Sequence, residues 1–212
     1  MARPKSNLEE LLLTRAAELI ATDGLDALSL RELARRAGVS RAAPYHYFTD
    51  KAELVARVGA LGFERLGERI AAATDPATDP VTRLRAGLGA YIDFAHAEPH
   101  FFQLMFSGAL ERHQQGDSNL PFSSPAARAA FGTLVDGVRT AQAAGVLDAT
   151  DPLLIVNVFW AWTHGVAVLS RDAHLKHEGG THAVFEAGFS ALVAHYGRPR
   201  LEPGSDPERW KS

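Results

Sequence analysis

No cysteine occurs among the 212 residues. A disulfide framework and a thiolate metal site are both excluded, and a reducing cytoplasm is the setting the sequence predicts. Long apolar runs are also missing: charged or glycine positions interrupt each stretch, and no membrane-spanning helix is expected. The N-terminus carries Arg3 and Lys5, but the apolar positions behind them recur at helical spacing, which is not the h-region of a secretory signal. Alternating apolar and polar positions, the mark of half-buried strands, are not found either. No Gly-x-Ser-x-Gly elbow, phosphate loop or HExxH motif occurs, so hydrolase and transferase chemistry has no visible seat, and no cofactor is called for. A soluble, non-enzymatic protein is expected.

What is present is helical. With 46% apolar residues the chain can bury a substantial core. Leu8, Leu12, Ala16, Leu19 and Ile20 follow a 3.6-residue period that Gly24 stops. Ser29 with Glu32, and Asp50 with Glu53, have capping-box spacing, and the second pair opens a long helix reaching about Ala73. Ser40 is placed to cap a short helix between these two. The stretch Thr74 to Pro80 reads as a linker. Beyond it come a helix to Ala97, a short aromatic helix after Pro99, and helices opened by Ser124-Pro125 and Asp151-Pro152. A last helix starts near Thr181. The fold class is therefore all-α, with about nine helices, a polar loop at 113–123 and a polar tail from Arg198.

Charge is uneven. The net charge is −3, yet Arg31, Arg35, Arg36, Arg41 and Lys51 outnumber Glu32 and Asp50 between positions 31 and 51. Local basicity on an acidic protein suits a small DNA-reading surface. Two short helices joined by Ala37-Gly38-Val39-Ser40 are the sequence form of a helix-turn-helix. Ala34 is small where the helices press together, and Gly38 can take positive φ at the turn.

The run Leu28 to Ser40, followed by Tyr45-His46-Tyr47-Phe48 and Lys51-Ala52-Glu53-Leu54, resembles the N-terminal domain of TetR/AcrR-type transcriptional regulators. That resemblance implies a helix-turn-helix DNA-binding domain at 1–53, a larger ligand-binding and dimerisation domain at 54–197, and a tail at 198–212. It implies that Arg41, Ala42, Ala43 and His46 face bases. Tyr45, Tyr47 and Lys51 would hold phosphates, and Ser29 and Arg31 would contact the backbone. Arg41 is the best candidate for a guanine. Arg35 and Arg36 are expected on a solvated face. Pro44 departs from the family pattern, since it removes an amide from the recognition helix.

Phe159 to Gly165 resembles the Trp-His-Gly (WHG) group of such C-terminal domains, with Trp160, His164 and Gly165 in the matching places. An apolar or aromatic ligand is expected against Tyr91, Phe94, Phe102, Phe106, Phe131, Trp160, Trp162 and His164. Expected partners are double-stranded operator DNA, a small-molecule inducer and a second copy of the chain. Val184, Gly188, Phe189 and Leu192 are candidate seam residues of that homodimer. The histidine clusters His174, His177, His182 and His96, His100 lack the further ligands of a tetrahedral site, and no metal is expected. A repressor released from a palindromic operator is the function these readings predict.

Overall fold

A computed structural model describes residues 7–106 and 124–197 of the chain. Eight α-helices occur among the described residues. They are α1 (Asn7–Asp23), α2 (Leu30–Ala37), α3 (Lys51–Ala73), α4 (Pro80–Ala97), α5 (Pro99–Met105), α6 (Pro125–Ala143), α7 (Pro152–Arg171) and α8 (Gly180–Tyr196). Arg3, Lys5, the 113–123 loop and the tail lie outside the described residues.

Local chemistry sets most helix starts. Ser29 Oγ accepts the Glu32 amide at 3.1 Å, and Asp50 Oδ1 accepts that of Glu53 at 2.8 Å. Asp79, Ser124 and Asp151 cap α4, α6 and α7 in the same way, each with proline in the first turn. The acidic halves of the two expected capping boxes turn elsewhere. Glu53 accepts the amide and hydroxyl of Thr49, both at 2.7 Å, and these bonds hold its carboxyl below the usual range. Glu32 is engaged by arginines.

The expected third helix of the head is a 3₁₀ turn, Ala43–His46, whose cap position is Ala42 rather than Ser40. Its bonds run three residues back: Ala43 to the Ser40 carbonyl at 3.0 Å and Tyr45 to that of Ala42 at 3.1 Å. Pro44 supplies no amide, so the α-helical bond that position would make is lost and the tighter turn takes over.

One buried cluster runs from Leu12 in the head to Tyr196. Helix α3 crosses unbroken from head to body and packs on α4 and α6. In the body α4 lies against α7, and α7 against α8. Helix α7 is long and apolar enough to cross a membrane by length and composition alone, as the core helix of a globular protein can also be. Its one charged residue, Arg171, stands at the last position, and a third of its apolar window is buried inside the chain.

Helices α7 and α8 meet at Gly188, where a Cβ would fall inside the indole of Trp162. Gly188→Ala is expected to destabilise by about 1–3 kcal/mol through overpacking. An unchanged thermal midpoint would show that the indole can move aside.

Candidate nucleic-acid interface and ligand site

In the head, α2 ends at Gly38 in the left-handed region (φ 68°), and the Val39 amide returns to the Ala34 carbonyl at 3.1 Å. This closure turns the chain sharply enough to bring the 3₁₀ turn alongside α2. Pro44 and Phe48 are buried beneath that turn, while Arg41, Ala42, Tyr45 and His46 are exposed above it. Tyr45 is 59% exposed, large for an aromatic ring, and Ala43 is half-buried. Tyr47 is half-buried against Phe48, with ring centroids 6.2 Å apart.

The cations of the head fall into two sets. Arg35 donates to Glu32 at 2.8 Å, and Arg36 to Glu32 at 3.1 Å and to Asp23. Hydrogen bonds from Arg35 and then Arg36 push the Glu32 carboxyl down to about 2. These two arginines are neutralised, as a solvated face requires. Arg31, Arg41 and Lys51 form no ion pair among the described residues. Ser29 and Arg31 are exposed at the start of α2, and Lys51 is the first residue of α3. Uncompensated cations on α2, on the bend that follows it and on α3, flanking an exposed Tyr45-His46 turn, are chemistry suited to phosphates and base edges.

In the body, six of the eight candidate ligand residues gather. Phe102 stacks on His164 (5.4 Å between centroids, 24°) and meets Tyr91 edge-on at 5.5 Å. Phe106 lies 4.8 Å from His164, and Phe131 lies edge-on to Trp160 at 6.2 Å. Tyr91 Oη is 2.7 Å from His164 Nδ1, and Trp160 Nε1 donates to Tyr91 Oη at 3.4 Å. Burial pushes the Tyr91 hydroxyl up and lowers the imidazole, so a protonated Tyr91 and a neutral His164 share this hydrogen bond.

Because folding depresses His164, the stability it contributes is present above its unfolded value near 6.5 and is lost as pH falls below it. The melting midpoint is expected to drop between pH 7 and pH 5, and His164→Gln to flatten that drop. Equal slopes for parent and variant would place the titration elsewhere.

The other two candidates lie apart. Phe94 is fully buried one turn along α4, outside these ring contacts. Trp162 points to the opposite face of α7, against Gly188, and its buried Nε1 has no hydrogen-bond partner among the described residues. Wall residues that the sequence did not single out are Phe63, Leu66 and Ile70 of α3 with Ala127, Ala130 and Leu134 of α6. At these positions only ordinary helical periodicity was visible. With Tyr91, Phe106, Phe131 and Trp160 they line a half-open recess of only about 20 Å³, so a ligand enters only by moving rings.

A larger cleft of about 390 Å³, also half-open, lies between α4 and α8, and its Arg85 and Glu186 are paired at 3.0 Å. His96 bonds Ser170 at 2.9 Å, and His177 accepts the Gly179 amide at 3.0 Å. No three histidine or acidic residues among the described residues are grouped to hold a metal ion. Of the proposed seam, Phe189 turns inward onto Phe159 and Phe185, at 5.6 and 5.8 Å. Exposed on α7 instead are Leu153 (48%), Leu154 (52%) and Leu169 (44%).

Comparison with known proteins gives two family matches. Residues 12–58 match the bacterial regulatory proteins of the tetR family, and residues 84–192 match a tetracyclin repressor-like C-terminal domain. Among curated proteins, the chain is 32% identical over 103 residues to the HTH-type transcriptional activator FasR of Mycolicibacterium smegmatis, covering 49% of this chain and 47% of FasR. It is 31% identical over 107 residues to the nucleoid occlusion factor SlmA of Vibrio vulnificus, covering 50% and 55%. The matched stretch thus spans about half the length of these relatives. A structure of a protein of unknown function from Rhodococcus sp. RHA1 is 32% identical, with a TM-score of 0.76 over 93% of this chain and all of that one. A putative TetR-family regulator from Shewanella sp. PV-4, at 20% identity and a TM-score of 0.68 over 89% and 97%, shares the fold.

Proposed function

The chain belongs to the TetR family of DNA-binding transcription regulators, and we propose that it is a cytoplasmic homodimeric repressor released from a palindromic operator by an apolar or aromatic ligand. The observation that carries the DNA half is the set of unpaired cations Arg31, Arg41 and Lys51 around the exposed Tyr45-His46 turn. Arg41, Ala42, Ala43 and His46 are assigned to bases. Tyr45, Tyr47, Lys51, Ser29 and Arg31 are assigned to the backbone.

A two-fold operator needs two heads roughly 34–36 Å apart, one turn of DNA. The exposed face of α7 with Leu153, Leu154 and Leu169, beside Val184 and Leu192 of α8, supports pairing through these two helices as a four-helix bundle. The likeness of Trp160, His164 and Gly165 to the WHG group and the aromatic cluster around them support the ligand site. A ligand that parts Phe102, Phe106 and Trp160 acts on α5 and α7. Its effect on operator binding is limited to its differential affinity for the two head arrangements, typically about 1–3 kcal/mol.

Selection of bound DNA from a random pool, repeated with candidate aromatic ligands, is the test. Enrichment of a palindrome that a ligand abolishes supports the proposal, and failure to enrich any sequence overturns it. The name of FasR, which matches over about half its length, favours one second reading, an activator. Mapping the selected site relative to the promoter separates the two, because blocking requires overlap with the polymerase footprint.

A further inference from the structure

Three arginines on α3 face neighbouring helices, and their partners differ. Arg57 pairs with Glu9 of α1, inside the head. Arg69 donates to the Asp93 carbonyl of α4 at 3.1 Å, inside the body. Arg65 does both. One of its terminal nitrogens donates to Glu10 of α1 at 2.8 Å and reaches Thr14 at 3.5 Å. The other faces both carboxylate oxygens of Glu98, at 3.3 and 3.4 Å, in the corner between α4 and α5. Its guanidinium carbon stands 4.8 Å from the centre of the Phe101 ring of α5. The Arg65 side chain is 22% exposed, against 49% for Glu10 and 32% for Glu98, so the Glu98 side of the fork is the less screened by salt.

A planar fork with separate nitrogens can serve two elements at once, which a lysine ammonium cannot reproduce. Tilting α1 against the α4–α5 corner breaks one side of the fork, so the full set of contacts exists at one head angle. Phe102, the neighbour of Phe101, is part of the aromatic cluster. The junction is therefore one residue away from the ligand site.

We propose that Arg65 is the positioning residue that fixes the angle of the DNA head on the body, and through it the separation of the two reading faces. The second half of this statement rests on the operator-binding dimer described above; the first does not. The absence of cysteine makes a direct test simple. Spin labels are placed on Ala27→Cys in the head and Ala129→Cys on α6, both exposed. Labelled protein is diluted into an excess of unlabelled chain, so that distances within one chain are read.

A single narrow distance distribution is expected for the parent. Arg65→Met and Glu10→Gln should broaden or shift it, Arg65→Lys should fall between, and Arg57→Met should leave it in place. Superimposable parent and Arg65→Met distributions overturn the proposal, as does a lower melting midpoint with no change in distance. On a selected operator with two half-sites, Arg65→Met should bind roughly tenfold more weakly, within the range of ordinary coupling between sites. It should also tolerate an inserted base pair, with single half-site affinity unchanged. Equal losses on both DNAs would overturn the positioning role. If the parent selects no DNA, the proposed function fails while the distance measurement still decides the role of Arg65.

Discussion

Replacing Arg41 with alanine is expected to erase base preference at one position of each half-site, at a cost of about 1–3 kcal/mol per contact. The physical ground is the contrast among the head's arginines. Arg35 and Arg36 spend their donors on Glu32 and Asp23, so a phosphate or base would have to compete with carboxylates already in place. Arg41 is exposed on the turn that buries Pro44, with no ion pair among the described residues to release it from. Lys51→Ala should behave differently. It should weaken all sequences alike and lower the salt slope by about one per head, because a phosphate contact releases a counterion and reads nothing. Salt titrations on matched and mismatched operators distinguish the two patterns. If both variants bind as the parent does, the reading face lies elsewhere.

Truncating Phe102 to alanine should be the most damaging single change in the body, about 3–5 kcal/mol. The ring is buried and touches Tyr91, Phe106 and His164, and the Arg171 guanidinium lies 5.9 Å above it. These neighbours sit on α4, the end of α5 and α7, so collapse around the void would require three elements to move together. A lower denaturant midpoint with an unchanged slope is the expected signature. The void borders Tyr91 and Phe106, which also line the recess of about 20 Å³, so small aromatic compounds should restore part of the lost stability. A loss below about 1 kcal/mol would mean that the cluster is loosely packed and poorly suited to hold a ligand by shape.

The helix starts were legible because a cap is a contact between residues two or three apart. Ser29, Asp50, Ser124 and Asp151 each make the bond their spacing foretells. Gly38 takes the left-handed conformation for the same local reason. Less legible were the outcomes of competition between neighbours. Glu32 and Glu53 have the spacing to close capping boxes, but arginines and Thr49 offer them stronger partners. Pro44 could be foreseen to remove one bond, whereas its conversion of the whole element to a 3₁₀ turn depended on burial of the proline and Phe48 underneath.

While the reading residues of the head came from the family resemblance, composition, period and local spacing alone determined an all-α chain, most of its helix starts, a helix-turn-helix and an aromatic body. Each of these is encoded within one or two helical turns. Tertiary structure decided which aromatics share a site: Phe63 of α3 joins it, while Phe94 and Trp162 do not. It decided that Phe189 faces inward and Leu153, Leu154 and Leu169 outward. It also made Arg65 a junction between Glu10 and Glu98, residues far apart in sequence. Periodicity fixes the face of a helix on which a side chain stands, but the partner it meets depends on how the helices cross.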